Sequence, residues 1–331
     1  MGKIALEEHV LLDRENHIDR WRTLVPMIPE QFLPPLISQL TDTSRRLELM
    51  DQGEIDLAVL SNAATVQGFL DPQAALRIAR ESNDYLAEIV RARPDRFAAF
   101  AATPLQQPEQ GADELQRAVE QLGLVGTMLF GHTGGRYLDN RSYDPFWERA
   151  QDLGVPVYLH AADAAVQPAS QSGRPELRGA TWSWTAETTT HALRMVFGGV
   201  FDRFPRVRLI LGHMGETLPF FLWRLDQRAR AFADHAPEAS PSQLVRRNIR
   251  ITTAGAFSDQ PLHCALDALG EDNVMFAIDY PFESMTEAAG WLDASKLDAQ
   301  VRAKIEYQNA QALLKLNQPA SMRKGPWDVS Q

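Results

Sequence analysis

Cysteine is almost absent from this sequence of 331 residues, which contains only Cys264. A single cysteine cannot form an intrachain disulfide, and it cannot supply the several thiolates of a cysteine-based zinc site. Long hydrophobic runs are also missing, since none approaches the roughly 20 apolar residues that a membrane-spanning helix requires. The N-terminal stretch MGKIALEEHVLL contains two glutamates where an export signal would be apolar. We therefore expect no signal peptide and a cytoplasmic protein.

Positive charge is scarce, with 33 Lys and Arg against 43 Asp and Glu and a net charge of −10. Nucleic acids and anionic membrane surfaces both bind to basic faces, so we expect neither as a partner. A small anionic substrate remains possible, because one local arginine can bind it whatever the total charge. The sequence also lacks the glycine-rich GxGxxG and GxxxxGK[ST] loops that hold the phosphates of nucleotides.

Short apolar runs alternate with segments of helical periodicity along most of the chain. Continuous apolar runs are typical of strands that are buried on both faces of a parallel sheet. The eight predicted strands are Lys3–Leu6, Asp56–Ser61, Phe97–Ala101, Gly126–Phe130, Val155–His160, Val207–Leu211, Ile249–Thr253 and Val274–Ile278. The clearest predicted helices are Pro72–Arg93, Pro108–Leu122, Tyr143–Leu153 and Thr185–Phe201. The dipeptides Asp71-Pro72 and Asp144-Pro145 predict two helix starts, each with an aspartate cap before a proline.

Eight strand-then-helix units predict an α/β fold, a closed (β/α)₈ TIM barrel of the amidohydrolase type. A doubly wound open sheet is the alternative. We interpret residues 1–318 as one catalytic domain and residues 319–331 as a C-terminal extension. Two stretches, at about 11–40 and 161–182, do not fit the repeat. Each follows a predicted strand, so we expect both insertions to lie over the C-terminal mouth of the barrel.

Three of the eight histidines fall at the ends of predicted strands, namely His9, His160 and His213. Asp279 falls at the end of the eighth strand. His9 and His160 are four units apart, which places them on opposite sides of a barrel, and His213 and Asp279 occupy later strands. Since the carboxyl ends of all the strands meet at one face of a barrel, these side chains should converge there.

Glu7 lies two residues before His9 on the first strand. Residues at i and i+2 share one face of a strand, so both side chains should point into the barrel while Glu8 points outward. Two imidazoles and two carboxylates form a mixed nitrogen and oxygen ligand set that suits Zn²⁺ or Mn²⁺. The sequence therefore predicts one divalent metal at the C-terminal mouth.

The stretches KIALEEH, PDRFAAFA, VPVYLH, LILGHMGE and FAIDYPFE occur in this order along the chain. Together they resemble the decarboxylase branch of the amidohydrolase superfamily. That branch includes the decarboxylases of γ-resorcylate (2,6-dihydroxybenzoate), 2,3-dihydroxybenzoate, 5-carboxyvanillate and aminocarboxymuconate semialdehyde. The resemblance extends from Lys3 to about Leu316. It implies metal-dependent, non-oxidative decarboxylation of a hydroxylated aromatic acid, reversible at high bicarbonate, by a homodimer or homotetramer.

The resemblance also implies roles for individual residues. The four implied metal ligands are Glu7, His9, His160 and Asp279. His213 becomes the catalytic histidine beside the metal, with Glu216 as its orienting partner, and either His213 or Asp279 delivers the proton to the substrate ring. Arg224 matches the arginine that meets the substrate carboxylate.

One position departs from the resorcylate and 2,3-dihydroxybenzoate enzymes, which carry an asparagine at the end of the fourth strand. Phe130 occupies that position here. Because phenylalanine cannot form a hydrogen bond, this change implies a substrate whose ring hydroxyl is absent, moved or replaced by a bulkier group. The other aromatic residues that follow predicted strands and could line a pocket for an aromatic acid are Trp182, Trp184, Phe257 and Phe282.

A hydrolase on the same barrel is the main alternative function. It would open a lactone or cleave a ring-fission product, with His213 as the base for a metal-bound water. A non-catalytic metal-binding protein is a third possibility. The products distinguish the first two, since a decarboxylase releases CO₂ and a hydrolase yields a hydrated acid.

Overall fold

The computed structural model describes residues 2–12, 15–24, 28–231 and 239–316. The predicted C-terminal extension at 319–331 lies outside these residues, so the division into domain and extension stays a prediction. The described chain forms an α/β structure in which strands alternate with helices. No helix among these described segments is both long enough and apolar enough to cross a membrane.

The strands form a parallel series that follows the order of the sequence. They are β1 (Lys3–Val10), β2 (Ile55–Asn62), β3 (Phe97–Ala99), β4 (Ala101–Ala102), β5 (Thr127–Phe130), β6 (Val157–His160), β7 (Leu209–Leu211), β8 (Ile249–Thr252) and β9 (Val274–Met275). β3 and β4 are consecutive pieces of the third predicted strand, interrupted at Phe100. This leaves eight strand positions, each at a predicted location.

Backbone hydrogen bonds close the series into a ring. The amide of Leu6 in β1 donates to the carbonyl of Phe276, which directly follows β9, at 3.1 Å. Further along, the amide of His9 in β1 donates to the carbonyl of Tyr280, in the segment after β9, at 2.8 Å. Strand order, these closing bonds and the alternating helices confirm the predicted (β/α)₈ barrel.

Helices surround the barrel. They are α1 (Glu15–Leu24), α2 (Leu33–Thr41), α3 (Thr43–Gln52), α4 (Pro72–Ala92), α5 (Pro108–Glu120), α6 (Asp144–Leu153), α7 (Ser183–Phe197), α8 (Val200–Arg203), α9 (Leu218–Ala229), α10 (Pro241–Asn248), α11 (Asp259–Leu269), α12 (Met285–Ala294), α13 (Ala299–Ala303) and α14 (Asn309–Leu314). A π-helical turn, Lys304–Gln308, joins the last two. The predicted helix Thr185–Phe201 is divided, because two glycines separate α7 from α8.

Alternate residues of the strands pack in two separate apolar layers. Side chains such as Ile4, Met128 and Ile210 fill the barrel interior, and Leu314 of α14 packs against this inner layer. A larger layer joins the outer faces of the strands to the helices. Burial of both strand faces explains why the strands appear in the sequence as continuous apolar runs.

The two Asp-Pro dipeptides behave differently. Asp71 caps α4 as predicted, and its carboxylate accepts the amides of Gln73 and Ala74. The prediction for Asp144 was wrong, since α6 begins at Asp144 itself and no side chain caps it. A 3₁₀ turn, Arg141–Tyr143, leads directly into α6, so the backbone of Asp144 is already helical and cannot cap. Its carboxylate binds Arg203 at 2.9 Å.

The first predicted insertion contains α1 and α2, and the second contains three short 3₁₀ turns. Phe32 and Leu36 line a cavity together with Phe282, which follows β9. The first insertion therefore packs beside the loop that follows the last strand. In the second insertion, Asp163 accepts a hydrogen bond from the indole of Trp184 at 3.1 Å.

Candidate metal centre and active site

The structure brings together the four side chains that the sequence predicts as metal ligands. Glu7, His9, His160 and Asp279 each direct one ligand atom into a common space, and these atoms lie within 4.8 Å of one another. His9 Nε2 is 3.1 Å from Asp279 Oδ1, and His160 Nε2 is 3.3 Å from Glu7 Oε1. The four residues come from β1, β6 and the segment after β9, so closure of the barrel creates the cluster.

The inward-facing atoms of this cluster are buried and lack a hydrogen-bond partner among the described residues. They are Glu7 Oε1, His9 Nε2, His160 Nε2 and Asp279 Oδ1. Buried polar atoms without partners are costly, and a divalent cation would satisfy all four at once. The donor set of two imidazoles and two carboxylates fits Zn²⁺ or Mn²⁺. The residues present therefore fit the predicted metal.

Neighbouring groups orient both ligand histidines. His160 Nδ1 donates to the carbonyl of Ala161 at 2.7 Å, which leaves Nε2 with the lone pair that a metal requires. Burial first, and then the nearby imidazole of His9, lower the pKa of His160 to about 3, so this ring is neutral at pH 7. His9 Nδ1 lies 2.9 Å from the hydroxyl of Ser61.

Glu7 is completely buried in this cluster. Burial raises its pKa to about 8; the charge of His213 opposes this effect, and the carboxylate of Asp279 reinforces it. The hydroxyl of Tyr158 donates to Glu7 Oε2 and is itself 2.9 Å from Thr252 Oγ1. Glu7 thus has one oxygen held by the protein and one oxygen free for a ligand.

His213 lies beside the four ligands, as predicted. Its Nδ1 is 2.9 Å from Glu216 Oε1, and its Nε2 faces Asp279 Oδ2 at 3.6 Å and Glu7 Oε1 at 3.9 Å. Burial alone would lower the pKa of His213, but the carboxylates of Glu7, Asp279 and Glu216 outweigh it and raise the pKa well above its usual value. Burial alone would raise the pKa of Asp279, but the neighbouring imidazoles of His213 and His9 outweigh it and lower that pKa. The three carboxylates therefore favour the protonated form of His213.

Strained backbone is concentrated at the same place. Among the described residues, seven non-glycine residues have a positive φ, and five of them belong to the site. The five are Glu7, His213, Met214, Glu216 and Asp279. Such conformations persist only where the surrounding structure imposes them, and they cluster at functional sites. Nothing in the sequence pattern predicted this strain.

Two of the predicted pocket residues contact the ligands. The ring of Phe130 is 4.4 Å from that of His160, and the ring of Phe282 is 5.8 Å from that of His9. Trp182 is about half exposed and makes no ring contact with these histidines in the part of the chain that the structure describes. The substrate-binding roles of all three stay predictions.

Arg224 does not belong to the ligand cluster of this chain. It lies on α9 with an exposed side chain and lines a separate cavity with Phe197 and Phe221. α9 begins at Leu218, and Arg224 is six residues further, or about 9 Å along the helix axis. Its predicted contact with a substrate carboxylate therefore remains a prediction.

Sequence reasoning missed the groups that support the ligands. Tyr158 could have been found, because it lies two residues before His160 and so shares its face of β6. Ser61, a polar residue near the end of β2, gives a weaker signal of the same kind. Glu8 turns away from the ligand cluster as expected, but it is buried and accepts the amide of Ile278 at 3.1 Å.

Comparison with known proteins agrees with this site. The amidohydrolase family model matches residues 44–316. A γ-resorcylate decarboxylase from Polaromonas sp. (strain JS666) is 40% identical over 329 residues, which cover 96% of this chain and 99% of the relative. Most of the chain is therefore aligned with a protein of similar length.

Solved structures agree closely as well. A 2,6-dihydroxybenzoate decarboxylase in complex with 2,6-dihydroxybenzoate has a TM-score of 0.89 and 39% identity, over 96% of this chain and 100% of the other. A dihydroxybenzoic acid decarboxylase from Polaromonas sp. JS666, with bound manganese and the inhibitor 2-nitroresorcinol, also has a TM-score of 0.89, at 38% identity over 96% and 98%. The predicted resemblance is confirmed, and this chain belongs to the amidohydrolase family.

Proposed function

We propose that this protein is a metal-dependent, non-oxidative decarboxylase of a hydroxylated aromatic acid. The observation that carries the proposal is the position of His213, paired with Glu216, beside four buried, inward-facing ligand atoms. Relatives of similar length that are named decarboxylases, one of them with manganese and a resorcinol inhibitor, support it.

The site has a division of roles that suits this chemistry. Glu7, His9, His160 and Asp279 would hold one Zn²⁺ or Mn²⁺. When bound, the ion supplies positive charge that stabilises an anionic hydroxybenzoate. Phe130 and Phe282 provide apolar surface next to the ligands for the aromatic ring.

We assign to His213 the proton that the reaction consumes, and Asp279 Oδ2, 3.6 Å from His213 Nε2, is the group that would receive it on closer approach and pass it on. Proton transfer to the ring carbon that bears the carboxylate interrupts aromaticity. The bond to the carboxylate then breaks, its electron pair restores the aromatic ring, and CO₂ leaves. The same steps in reverse would carboxylate a phenol at high bicarbonate.

The direct test is an assay of CO₂ release and product mass with protein loaded with Mn²⁺ or Zn²⁺. Suitable acids are 2,3- and 2,6-dihydroxybenzoate, salicylate and 5-carboxyvanillate. We expect metal-dependent CO₂ and the matching phenol from at least one acid, with activity lost after chelation and restored by the metal. Asp279→Asn should abolish activity, whereas Asp267→Asn, the same change at an exposed position on α11, should not.

Loss of activity in both aspartate variants would contradict the assigned role of Asp279. A metal-loaded protein that releases no CO₂ from any of these acids, but converts a lactone or ring-fission product to a hydrated acid, would establish the hydrolase alternative. Bound metal without turnover of either substrate class would favour a non-catalytic binding protein.

We propose further that the protein is a homo-oligomer in the cytoplasm, a homodimer or homotetramer. α9 exposes three large aromatic side chains, Phe220, Phe221 and Trp223, which form an apolar patch of the kind that marks interfaces. Packing of this patch on a second copy would also give Arg224 a route to the substrate carboxylate in that copy's site. Sedimentation of Trp223→Ser would test this, since a smaller assembly is expected.

A further inference from the structure

Arg46 is an unusual residue for the interior of a barrel enzyme. It lies on α3, and its side chain is fully buried. Burial of a guanidinium is unfavourable unless other groups compensate for its charge. The helix presents Arg46 to the outer side of the strand ends that carry the metal ligands, so its contacts there bear on the metal centre.

Arg46 contacts the two chain segments that carry metal ligands, β1 and the segment after β9. Its Nη2 donates to the carbonyl oxygen of His9, one of the four ligands. Its guanidinium carbon lies 4.6 Å from the centre of the Tyr280 ring, and Tyr280 directly follows the ligand Asp279. One buried cation thus connects the segments that hold two ligands on different strands.

Glu8 completes this connection. It is fully buried on β1, between Glu7 and His9. Glu8 Oε1 accepts the amide of Ile278, the residue before Asp279, at 3.1 Å. The carboxylate on β1 and the guanidinium on α3 therefore hold the same pair of chain segments from two sides.

These segments need such support, because their backbone is strained. Glu7 has a φ of 71° and Asp279 a φ of 80°, values that non-glycine residues rarely adopt. A strained backbone keeps its conformation only when several contacts fix it. The contacts of Arg46 and Glu8 lie immediately beside both strained residues.

We propose that Arg46 is a positioning residue for the metal centre. It acts through the His9 carbonyl and the Tyr280 ring, beside the bond from Ile278 to Glu8, and it keeps the ligand atoms of β1 and of the segment after β9 at metal-binding distance. Groups behind the ligands commonly control metal affinity in this way. This inference rests on the metal site of the proposed function but not on its substrate.

If Arg46 acted only through its charge, its removal would change the metal affinity in the opposite direction to that expected for a positioning residue. Loss of a buried cation near a divalent ion would, by charge alone, tighten metal binding. Loss of a group that holds the ligands in place should weaken it. The sign of the change in metal affinity therefore separates the two roles.

The experiment compares Arg46→Met and Arg46→Lys with the parent protein. Arg45→Met is the matched control, since Arg45 is adjacent on α3, half exposed and paired with Glu48. Metal-free protein is titrated with Mn²⁺ alone, and the visible absorption of bound Co²⁺ reports ligand geometry. Circular dichroism verifies the fold. We expect Arg46→Met to raise the Kd for Mn²⁺ by about tenfold or more, with an altered Co²⁺ spectrum.

Arg46→Lys keeps the charge but lacks the planar guanidinium, so it should also weaken binding, to a smaller extent. It decides the outcome if Arg46→Met does not fold. Unchanged or tighter Mn²⁺ binding in a folded Arg46 variant, or an equal loss in Arg45→Met, would overturn the proposal. A parent protein that binds Mn²⁺ normally but decarboxylates nothing would refute the proposed function and leave this inference intact.

Discussion

Glu216 controls the acid–base behaviour of His213 at the scale of single residues. Its carboxylate is almost completely buried and lies 2.9 Å from His213 Nδ1. A buried anion at this distance stabilises the imidazolium, and it also fixes which ring nitrogen faces Asp279. Without that charge, His213 would still be oriented by a hydrogen bond but would hold its proton less strongly.

Glu216→Gln should therefore lower kcat by roughly 10- to 100-fold while leaving the Kd for Mn²⁺ nearly unchanged. The limb of the kcat–pH profile that reports His213 should move to lower pH, because the neutral amide stabilises the imidazolium less. Steady-state kinetics across pH provide the measurement, with Glu120→Gln as an exposed control. An unchanged kcat at every pH would show that the pairing with Glu216 has no catalytic role.

Phe130 is the residue that most directly limits the choice of substrate. Its ring lies against His160 and near His9, where it offers no hydrogen bond to a bound acid. We expect Phe130→Asn to raise the kcat/KM ratio of 2,6-dihydroxybenzoate over salicylate by about tenfold, because the amide can bind the second ortho hydroxyl. Phe130→Leu is the control, because it removes the ring without adding a hydrogen-bonding group. An equal rise of the kcat/KM ratio in this variant would show that the larger pocket, and not a new hydrogen bond, causes the effect.

At the scale of elements, one dipeptide has two structural outcomes. Asp-Pro precedes α4 and also coincides with the start of α6, yet only Asp71 accepts amides of its own helix. Asp144 continues a 3₁₀ turn into the helix with helical backbone angles, so its side chain is free to bind Arg203 instead of capping. Local sequence thus located both helix starts to within one residue but could not identify the partner of each aspartate.

Asp71→Ala should destabilise the protein by about 1 kcal/mol, because two amides in the first turn of α4 lose their acceptor. Urea unfolding measures the difference, and Asp267→Ala, an exposed change on α11, should shift the free energy of unfolding by less than about 0.5 kcal/mol. Equal effects of the two variants would mean that the cap contributes nothing.

At the scale of the whole molecule, closure of the barrel couples proton binding to metal binding. Glu7 is completely buried, and burial raises its pKa to about 8, so a fall in pH below this value favours its protonated form in the absence of metal. A metal requires the carboxylate, so binding must displace this proton. His160, with a pKa of about 3, is already neutral and adds no pH dependence near neutrality.

The apparent Kd for Mn²⁺ should accordingly rise about tenfold for each unit that the pH falls below about 8, as expected for one displaced proton. Titration with Mn²⁺ at several pH values measures this slope. Tyr158→Phe removes a hydrogen bond that lowers the pKa of Glu7. In this variant the Kd for Mn²⁺ should therefore begin to rise at a higher pH than in the parent protein. A Kd that does not depend on pH in this range would show that Glu7 binds as an existing carboxylate.

The sequence by itself determined the order of the strands and the barrel, and it grouped the four residues that we propose as metal ligands. Apolar runs reveal strands that are buried on both faces, and His9, His160 and Asp279 all stand at strand ends. Every strand end of a parallel barrel reaches the same mouth, so position along the chain was sufficient to group these residues.

Only the tertiary structure decided what surrounds them. The left-handed backbone at Glu7, the hydroxyl of Tyr158 on its carboxylate, and Arg46 behind His9 depend on contacts between distant segments. Periodicity and local propensity do not encode such contacts, because they arise when the strands close into a ring. The same closure produces the burial that raises the pKa of Glu7 and sets the requirements for metal binding.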